Sequence, residues 1–372
     1  MLRYISNLGY VLRNRRYFFY KNNNHVNTAQ PPRHVLIFTS PKAGTGIGMG
    51  RVAALAEVLN RQGGKVEVTS AIADLKRTTA GHSHCKPDIV VAAGGDGTLS
   101  LVAQTTPPET VIAPMPTGTE NLVSKYFGIS SEAVPMNDLL MAGRTVSIDA
   151  GLANGRLFLV MVTCGFDAEV VRGMHLTRRG HINRLSYFWP ILRAIRRYRF
   201  PELIVQWIGE VADSSEPAFV TAMEPAKSHC PSDSSTSTAT STAVAEPIVL
   251  PDLRCVVQQS VACRWAMVFN LPRYAAGLGI ESQAQGDDGV LDLCALQNGS
   301  VLGGLRYLAG IITKRHSQWP DVVRRRITGC VVSSPTASVA YQIDGDYGGK
   351  LPLEIGVLPG RVRLRLPPIT AP

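Results

Sequence analysis

The sequence predicts an α/β domain followed by an antiparallel β domain, and three observations carry the prediction. Up to about residue 145, short continuous apolar runs alternate with stretches whose apolar residues recur at helical spacing, the pattern of a doubly wound sheet. Three of these runs empty into loops of Gly, Ser and Thr that open a helix, as ligand-binding loops do at the carboxyl ends of parallel strands. From about residue 146 the runs become short and closely spaced, and Asn154-Gly155 between two of them is a hairpin signal.

Residues 1–32 are basic and Asn-rich, end in Pro31-Pro32 and lack a long apolar core. They read as a disordered arm, neither a signal peptide nor a membrane span. His34-Val35-Leu36-Ile37-Phe38-Thr39 is a continuous, mainly apolar run, as expected of a strand buried on both faces. Ser40-Pro41-Lys42-Ala43-Gly44-Thr45-Gly46 follows, then a helix with Val52, Leu55, Val58 and Leu59 on one side, stopped by Gly63-Gly64. Residues 66–68 read as a second strand and 71–78 as a short helix. The third strand, Val90-Val91-Ala92-Ala93, ends in Gly94-Gly95-Asp96-Gly97-Thr98, and Leu99, Val102 and Ala103 continue at helical spacing. The fourth, residues 110–114, leads through Pro116-Thr117-Gly118-Thr119-Glu120-Asn121 into a helix with Leu122, Val123, Tyr126 and Phe127, capped by Gly128.

In the second half, strands are expected at 146–149 and 158–162 around the Asn-Gly turn, and at 203–208, 253–257 and 262–269. Others are expected at 290–296, 327–332, 339–343, 353–357 and 361–366, with a helix over 302–312. A helix around Leu185, Phe188, Trp189, Leu192 and Ile195 carries Arg193, Arg196 and Arg197 on its other side. Such a face either lies on a membrane or, more commonly, is the solvated side of a helix covering its own sheet. Residues 210–250 turn to Ser, Thr, Ala and Pro without periodicity, an insertion that cannot bury enough apolar surface to order itself.

At 372 residues, 45% of them hydrophobic, the chain has room for two domains with a core each. The net charge of +10 calls for an anionic partner: nucleotide, nucleic acid or acidic lipid surface. Arg324-Arg325-Arg326 belongs to no recognised nucleic-acid motif, so nucleic acid is not expected. Seven scattered cysteines without a C-x-x-C suggest neither a zinc site nor a disulfide framework, which points to a reducing cytoplasm. The P-loop pattern and G-x-G-x-x-G are both absent, which disfavours Walker-type NTPases and ordinary Rossmann dehydrogenases.

Glycine loops at helix N-termini expose backbone N–H groups suited to a phosphate chain. Asp96, the one charge in its loop, reads either as a Mg²⁺ ligand beside the phosphates or as a proton acceptor for an attacking hydroxyl. Acids recur at Asp167, at Asp287-Asp288 with Asp292, and at Asp344-Gly345-Asp346. Asp-Gly is also a common turn dipeptide. Carboxylates at strand ends of one domain can nonetheless face the glycine loops of the other, which suits Mg²⁺ and phosphoryl transfer.

Taken together and in order, Gly94-Gly95-Asp96-Gly97-Thr98, Pro116-x-Gly118-Thr119-x-Asn121, Gly165-Phe166-Asp167-Ala168, Asp287-Asp288-Gly289-x-Leu291-Asp292 and Ile343-Asp344-Gly345-Asp346 resemble the diacylglycerol kinase catalytic family, which includes bacterial soluble lipid kinases and sphingosine kinases. NAD kinases share the glycine-aspartate loop more distantly. The resemblance spans about residues 33–367. It implies an α/β nucleotide domain (33–145, with 358–372 returning to it) and a β-sandwich substrate domain (146–357), with ATP and Mg²⁺ between them. Ser40, Lys42, Gly44, Gly94, Gly95, Asp96, Gly97, Thr98, Pro116, Gly118, Thr119, Glu120 and Asn121 would then surround the nucleotide. Asp344 matches the general base of the bacterial enzymes, a role that sphingosine kinases give to the acid at Asp96. Asp346, where the family usually has Glu, would ligate Mg²⁺. Asp288 with the carbonyls of Gln285 and Val290 matches a structural Mg²⁺ turn, and Asp167 a lipid head-group contact.

Two departures stand out. Leu122 replaces the family's usual Asp, with Glu120 two positions earlier, and Ser40 replaces the usual Asn. The implied activity is ATP-dependent phosphorylation of a diacylglycerol- or sphingoid-like alcohol by a cytoplasmic protein peripheral to an anionic membrane face. A homodimer is left open. The alternatives are a kinase for NAD or another soluble metabolite, and a catalytically weakened nucleotide- or lipid-binding regulator.

Overall fold

The computed structural model describes residues 32–40, 47–80, 86–177, 198–209, 259–274 and 278–368. The arm before Pro32, Lys42, Gly44, the helix around Leu185, the insertion at 210–250 and the strand at 253–257 lie outside the described residues.

Four strands begin the chain: β1 (His34–Thr39), β2 (Lys65–Thr69), β3 (Ile89–Gly94) and β4 (Val111–Pro116). They run parallel in the order β2-β1-β3-β4. Every residue of β1 and β3 is buried, which is why both runs are apolar without alternation. The helices between and after them are α1 (Ile47–Arg61), α2 (Ile72–Thr79), α3 (Asp96–Thr105), α4 (Leu122–Phe127) and α5 (Ala133–Ala142). Val52, Leu55 and Leu59 of α1 join β1 and β3 in one apolar core. The sequence reading missed α5, whose loop-like start, Ser130-Ser131-Glu132, lacks a side-chain cap.

Next come β5 (Arg144–Ala153), β6 (Arg156–Phe158), β7 (Met161–Cys164), α6 (Phe166–Thr177), β8 (Leu203–Ile208), β9 (Gln259–Cys263), β10 (Trp265–Phe269) and β11 (Leu291–Leu296). Asn154 and Gly155 both take positive φ, the mirror-image turn their dipeptide signalled. The chain closes with α7 (Val301–Ile312), β12 (Val322–Ile327), β13 (Gly329–Ser333), β14 (Ala340–Ile343), β15 (Asp346–Lys350) and β16 (Leu353–Leu366). Three expected strands split: 158–162 divides at Leu159-Val160 between β6 and β7 and 262–269 at Arg264 between β9 and β10, each pair lying in different sheets, and the strand at 327 divides at Thr328. Two others merge, since 353–357 and 361–366 form the single strand β16.

A six-stranded antiparallel sheet, β12-β11-β10-β7-β14-β15, faces the antiparallel end of a ten-stranded one. Val162, Ala266, Leu291, Ile327 and Tyr341 from one layer meet Val205, Trp207, Cys330, Leu353 and Ile355 from the other in a shared core. The fold class is therefore α/β followed by an antiparallel β domain. β16 spans both parts. Its first half pairs antiparallel with β13, and Arg363 and Leu364 pair parallel with β4. Buried Arg365 donates to the carbonyls of Leu139 and Leu140 at the end of α5, where a cation suits the helix dipole.

Candidate active site

The loops after β3 and β4 touch backbone to backbone. A Cβ on Gly118 would lie 2.5 Å from the Cα of Gly95, and one on Gly94 would strike the buried Thr98 side chain. The Thr117 amide donates to the Gly94 carbonyl at 3.0 Å. Asn121, held at φ 50°, locks its own loop by donating from Nδ2 to the Gly118 carbonyl (2.8 Å) and accepting at Oδ1 from the Gly118 amide (3.1 Å). These glycines let two main chains meet with no side chain between them.

Asp96 sits at the start of α3, but its carboxylate points to α4. It accepts from the amides of Leu122 at 2.7 Å and Val123 at 2.9 Å, capping a helix whose own first residues supply no side-chain cap. Burial pushes its carboxyl above the ordinary value, opposed by these amides. The expectation of a metal-ligating or proton-accepting Asp96 thus meets a carboxylate already engaged in joining the two loops. Glu120 pairs with Lys125 (3.3 Å) rather than turning to the loops, and Leu122 is buried. Ser40 directly follows β1, Pro116 ends β4, and Thr119 lies exposed in its loop.

The turn between β14 and β15 arrives from the antiparallel sheet. Asp344 and Gly345 both take positive φ, so the Asp-Gly pair is a tight turn and a placed carboxylate at once. Asp344 Oδ1 accepts from the amides of Val160 (2.9 Å) and Met161 (3.0 Å), and Oδ2 accepts from the Leu159 amide (2.9 Å) and the Ser100 hydroxyl on α3 (2.9 Å). Four donors match the acceptor capacity of a carboxylate. Burial, reinforced by the charge of Asp96, still pushes the Asp344 carboxyl up to about 6. Asp346 is exposed, and its Oδ2 lies 2.9 Å from where a Cβ on Gly97 would stand, beside the first turn of α3.

Asp167, in the first turn of α6, accepts from Trp265 Nε1 (2.7 Å), from the Tyr274 hydroxyl (2.9 Å) and from the Thr163 hydroxyl. Phe166, Tyr198, Phe200 and Trp265 form an aromatic cluster next to it, with ring centroids 5.2–5.9 Å apart. The Tyr198 hydroxyl is buried without a hydrogen-bond partner among the described residues, and burial with the nearby Asp167 charge keeps it protonated. Sequence reasoning had no means of finding Trp265 or Tyr274, which stand roughly a hundred residues from the acid they serve. Ser100 was also missed, hidden in an ordinary helical run.

The expected structural metal turn does not fit a divalent ion. Asp288 Oδ2 is held by Arg326 Nη2 at 2.5 Å and Oδ1 by the Val290 amide at 3.3 Å, so a guanidinium already neutralises the carboxylate that, with the carbonyls of Gln285 and Val290, was expected to hold the cation. The turn is fixed instead by Asp149, which accepts from the amides of Gly289 (2.7 Å) and Gly360 (2.7 Å). Among the described residues no group of three or more His, Cys, Asp or Glu is arranged to hold a metal. A phosphate-bound Mg²⁺ asks less of the protein, and the exposed carboxylate of Asp346 fits that role.

Two family profiles match the chain. The profile described as the diacylglycerol kinase catalytic domain matches residues 34–153, and that described as the YegS C-terminal NAD kinase beta sandwich-like domain matches residues 160–366. The chain belongs to the diacylglycerol kinase family. A diacylglycerol kinase of Staphylococcus aureus (strain bovine RF122 / ET3-1) is 23% identical over 292 residues, covering 76% of each chain. An uncharacterized Synechocystis protein is also 23% identical, over 284 residues, covering 75% of this chain and 54% of its own length. A solved diacylglycerol kinase from Bacillus anthracis str. Sterne superposes with TM-score 0.59 at 18% identity, covering 91% of this chain and 99% of that one, and so shares the fold. A second chain from that organism gives TM-score 0.62 at 17% identity, covering 92% and 99%. No helix among the described residues is long and apolar enough to cross a membrane.

Proposed function

We propose that the protein is an ATP-dependent lipid kinase that transfers the γ-phosphoryl group to the hydroxyl of a diacylglycerol- or sphingoid-like lipid. One observation carries the reading: the turn holding Asp344 and Asp346 comes from the antiparallel sheet and meets α3 at Ser100 and Gly97. Residues 33–145 with 358–372 would serve as the nucleotide lobe and 146–357 as the substrate lobe. Backbone amides at the N-terminus of α3 would receive the triphosphate beside the Gly95–Gly118 loop contact and Asp346.

Asp344 accepts the proton of the attacking hydroxyl. Three of its donors are backbone amides that cannot turn away, whereas the Ser100 hydroxyl can rotate and free one lone pair of Oδ2. Asp346 would hold a Mg²⁺ brought with ATP, which supplies charge neutralisation on the phosphates. Asp167 and the aromatic cluster beside it receive the lipid head group. The protein would work in the cytoplasm, peripheral to the inner membrane face.

The test tracks the labelled γ-phosphate of ATP into a total lipid extract, with NAD as a second acceptor and Asp344→Ala as control. Label in lipid that disappears in the variant supports the reading. Label in NAD instead makes the protein a metabolite kinase. ATP binding with no transfer makes it a regulator, the outcome that the buried Leu122 and the paired Glu120 favour.

A further inference from the structure

Helix α7 carries apolar side chains on both faces. Its buried positions are Gly303, Tyr307, Gly310 and Ile311, and a Cβ on Gly310 would strike the Trp319 ring, so main chain lies against the support there. Five further aliphatic side chains point outward: Leu302 is 77% exposed, Ile312 63% and Leu305 58%, with Val301 and Leu308 alongside. Val301, Leu305, Leu308 and Ile312 follow helical spacing and form one stripe. Three glycines in a helix cost about 1 kcal/mol each relative to alanine, and close packing explains Gly303 and Gly310, but the outward aliphatic stripe stays uncovered among the described residues. A contiguous exposed apolar patch of this kind marks an interaction surface.

Charge bears on the occupant. Residues 297–320 contain no Asp or Glu; Arg306 is paired with Asp321, and Lys314 and Arg315 follow the helix in a chain of net charge +10. A second copy would bring the same positive charge. A helix of 12 residues, about 18 Å long, also offers far less than the roughly 800 Å² per partner that a stable dimer needs. The position fits a membrane as well. A Cβ on Gly304 would lie 3.8 Å from Trp265, whose Nε1 donates to Asp167, so one indole separates α7 from the acid assigned to the lipid head group.

We propose that the outward face of α7 seats the protein on an anionic bilayer, its aliphatic side chains in the interface and Lys314 and Arg315 at the level of the lipid phosphates. Delivery of lipid past Trp265 to Asp167 rests on the lipid-kinase reading; the docking itself does not. The test is cosedimentation, without ATP, with vesicles of phosphatidylcholine containing or lacking phosphatidylglycerol. The wild-type chain is expected to bind the anionic vesicles. Leu302→Ser/Leu305→Ser/Ile312→Ser should weaken that binding by roughly tenfold or more, and Lys314→Glu/Arg315→Glu by about fivefold or more per charge. An unchanged thermal melt shows that each variant is folded. Wild-type chain that ignores anionic vesicles, or a triple variant that binds as well as wild type, overturns the proposal. So does a wild-type dimer, by analytical ultracentrifugation, that the triple variant converts to monomer. Vesicle binding that depends on α7 without any phosphoryl transfer upholds the docking and removes the kinase reading alone.

Discussion

Asp96 and Asp344 are both enclosed carboxylates that gather backbone amides, yet they join different parts of the molecule. Asp96 binds two amides of α4, so every bond it makes lies among neighbouring loops of the parallel sheet. Asp344 binds two amides of the β6–β7 connection, the first amide of β7 and one hydroxyl from α3, so its bonds join the antiparallel sheet to the helix that follows the glycine loop. Asp96 ties two loops together, whereas on the proposed reading Asp344, with a rotatable hydroxyl among its four donors and its carboxyl pushed up to about 6, would exchange a proton.

The sharpest way to break this comparison is to neutralise each acid in turn. Asp344→Asn is expected to lower kcat by about a hundredfold to ten-thousandfold, with little change in KM for ATP, since general-base catalysis contributes on that scale. Retention of kcat would return the base role to Asp96. Asp96→Ala leaves two buried amides unpaired and should lower the free energy of unfolding by about 2–4 kcal/mol, read by urea denaturation. If stability holds while turnover disappears, Asp96 is catalytic and not a clamp.

A smaller effect concerns pH. A base must be deprotonated, so kcat/KM should fall about tenfold per unit as pH drops below the Asp344 value of about 6. Ser100→Ala removes a donor that favours the charged form and should move that acid limb to higher pH. An unmoved limb would show that Ser100 is not coupled to the titrating group.

The smallest effect lies away from the site. Burial, with Glu281 and Asp288 nearby, pushes Asp292 up to about 7. The folded chain therefore holds a proton that the unfolded chain has already lost, from the ordinary value of 3.8 up to about 7. Stability should fall as pH rises through that window and stay lower above it. Asp292→Asn should flatten the dependence and raise the melting temperature at pH 8 more than at pH 5. No difference between the two pH values would discard the shift.

Much of the architecture was legible because its determinants are local. Unbroken apolar runs gave β1, β3 and β4, and positive-φ dipeptides gave the turns at Asn154-Gly155 and Asp344-Gly345. The basic run Arg324-Arg325-Arg326 concealed β12. Its register sets Arg326 opposite Asp292 and lets its guanidinium reach Asp288, so charges that suggest solvent in sequence neutralise buried acids in the fold.

The chain on its own determined where glycines, acids and apolar runs fall, and hence the class of fold and the family, because strand burial, turn conformation and helix spacing depend on near neighbours. Tertiary structure alone decided what each carboxylate touches. The amides that meet Asp96, the hydroxyl that meets Asp344 and the indole that meets Asp167 lie 26, 244 and 98 or more residues away. A carboxylate's role follows from the donors packed around it, and no spacing within the sequence encodes contacts across such distances.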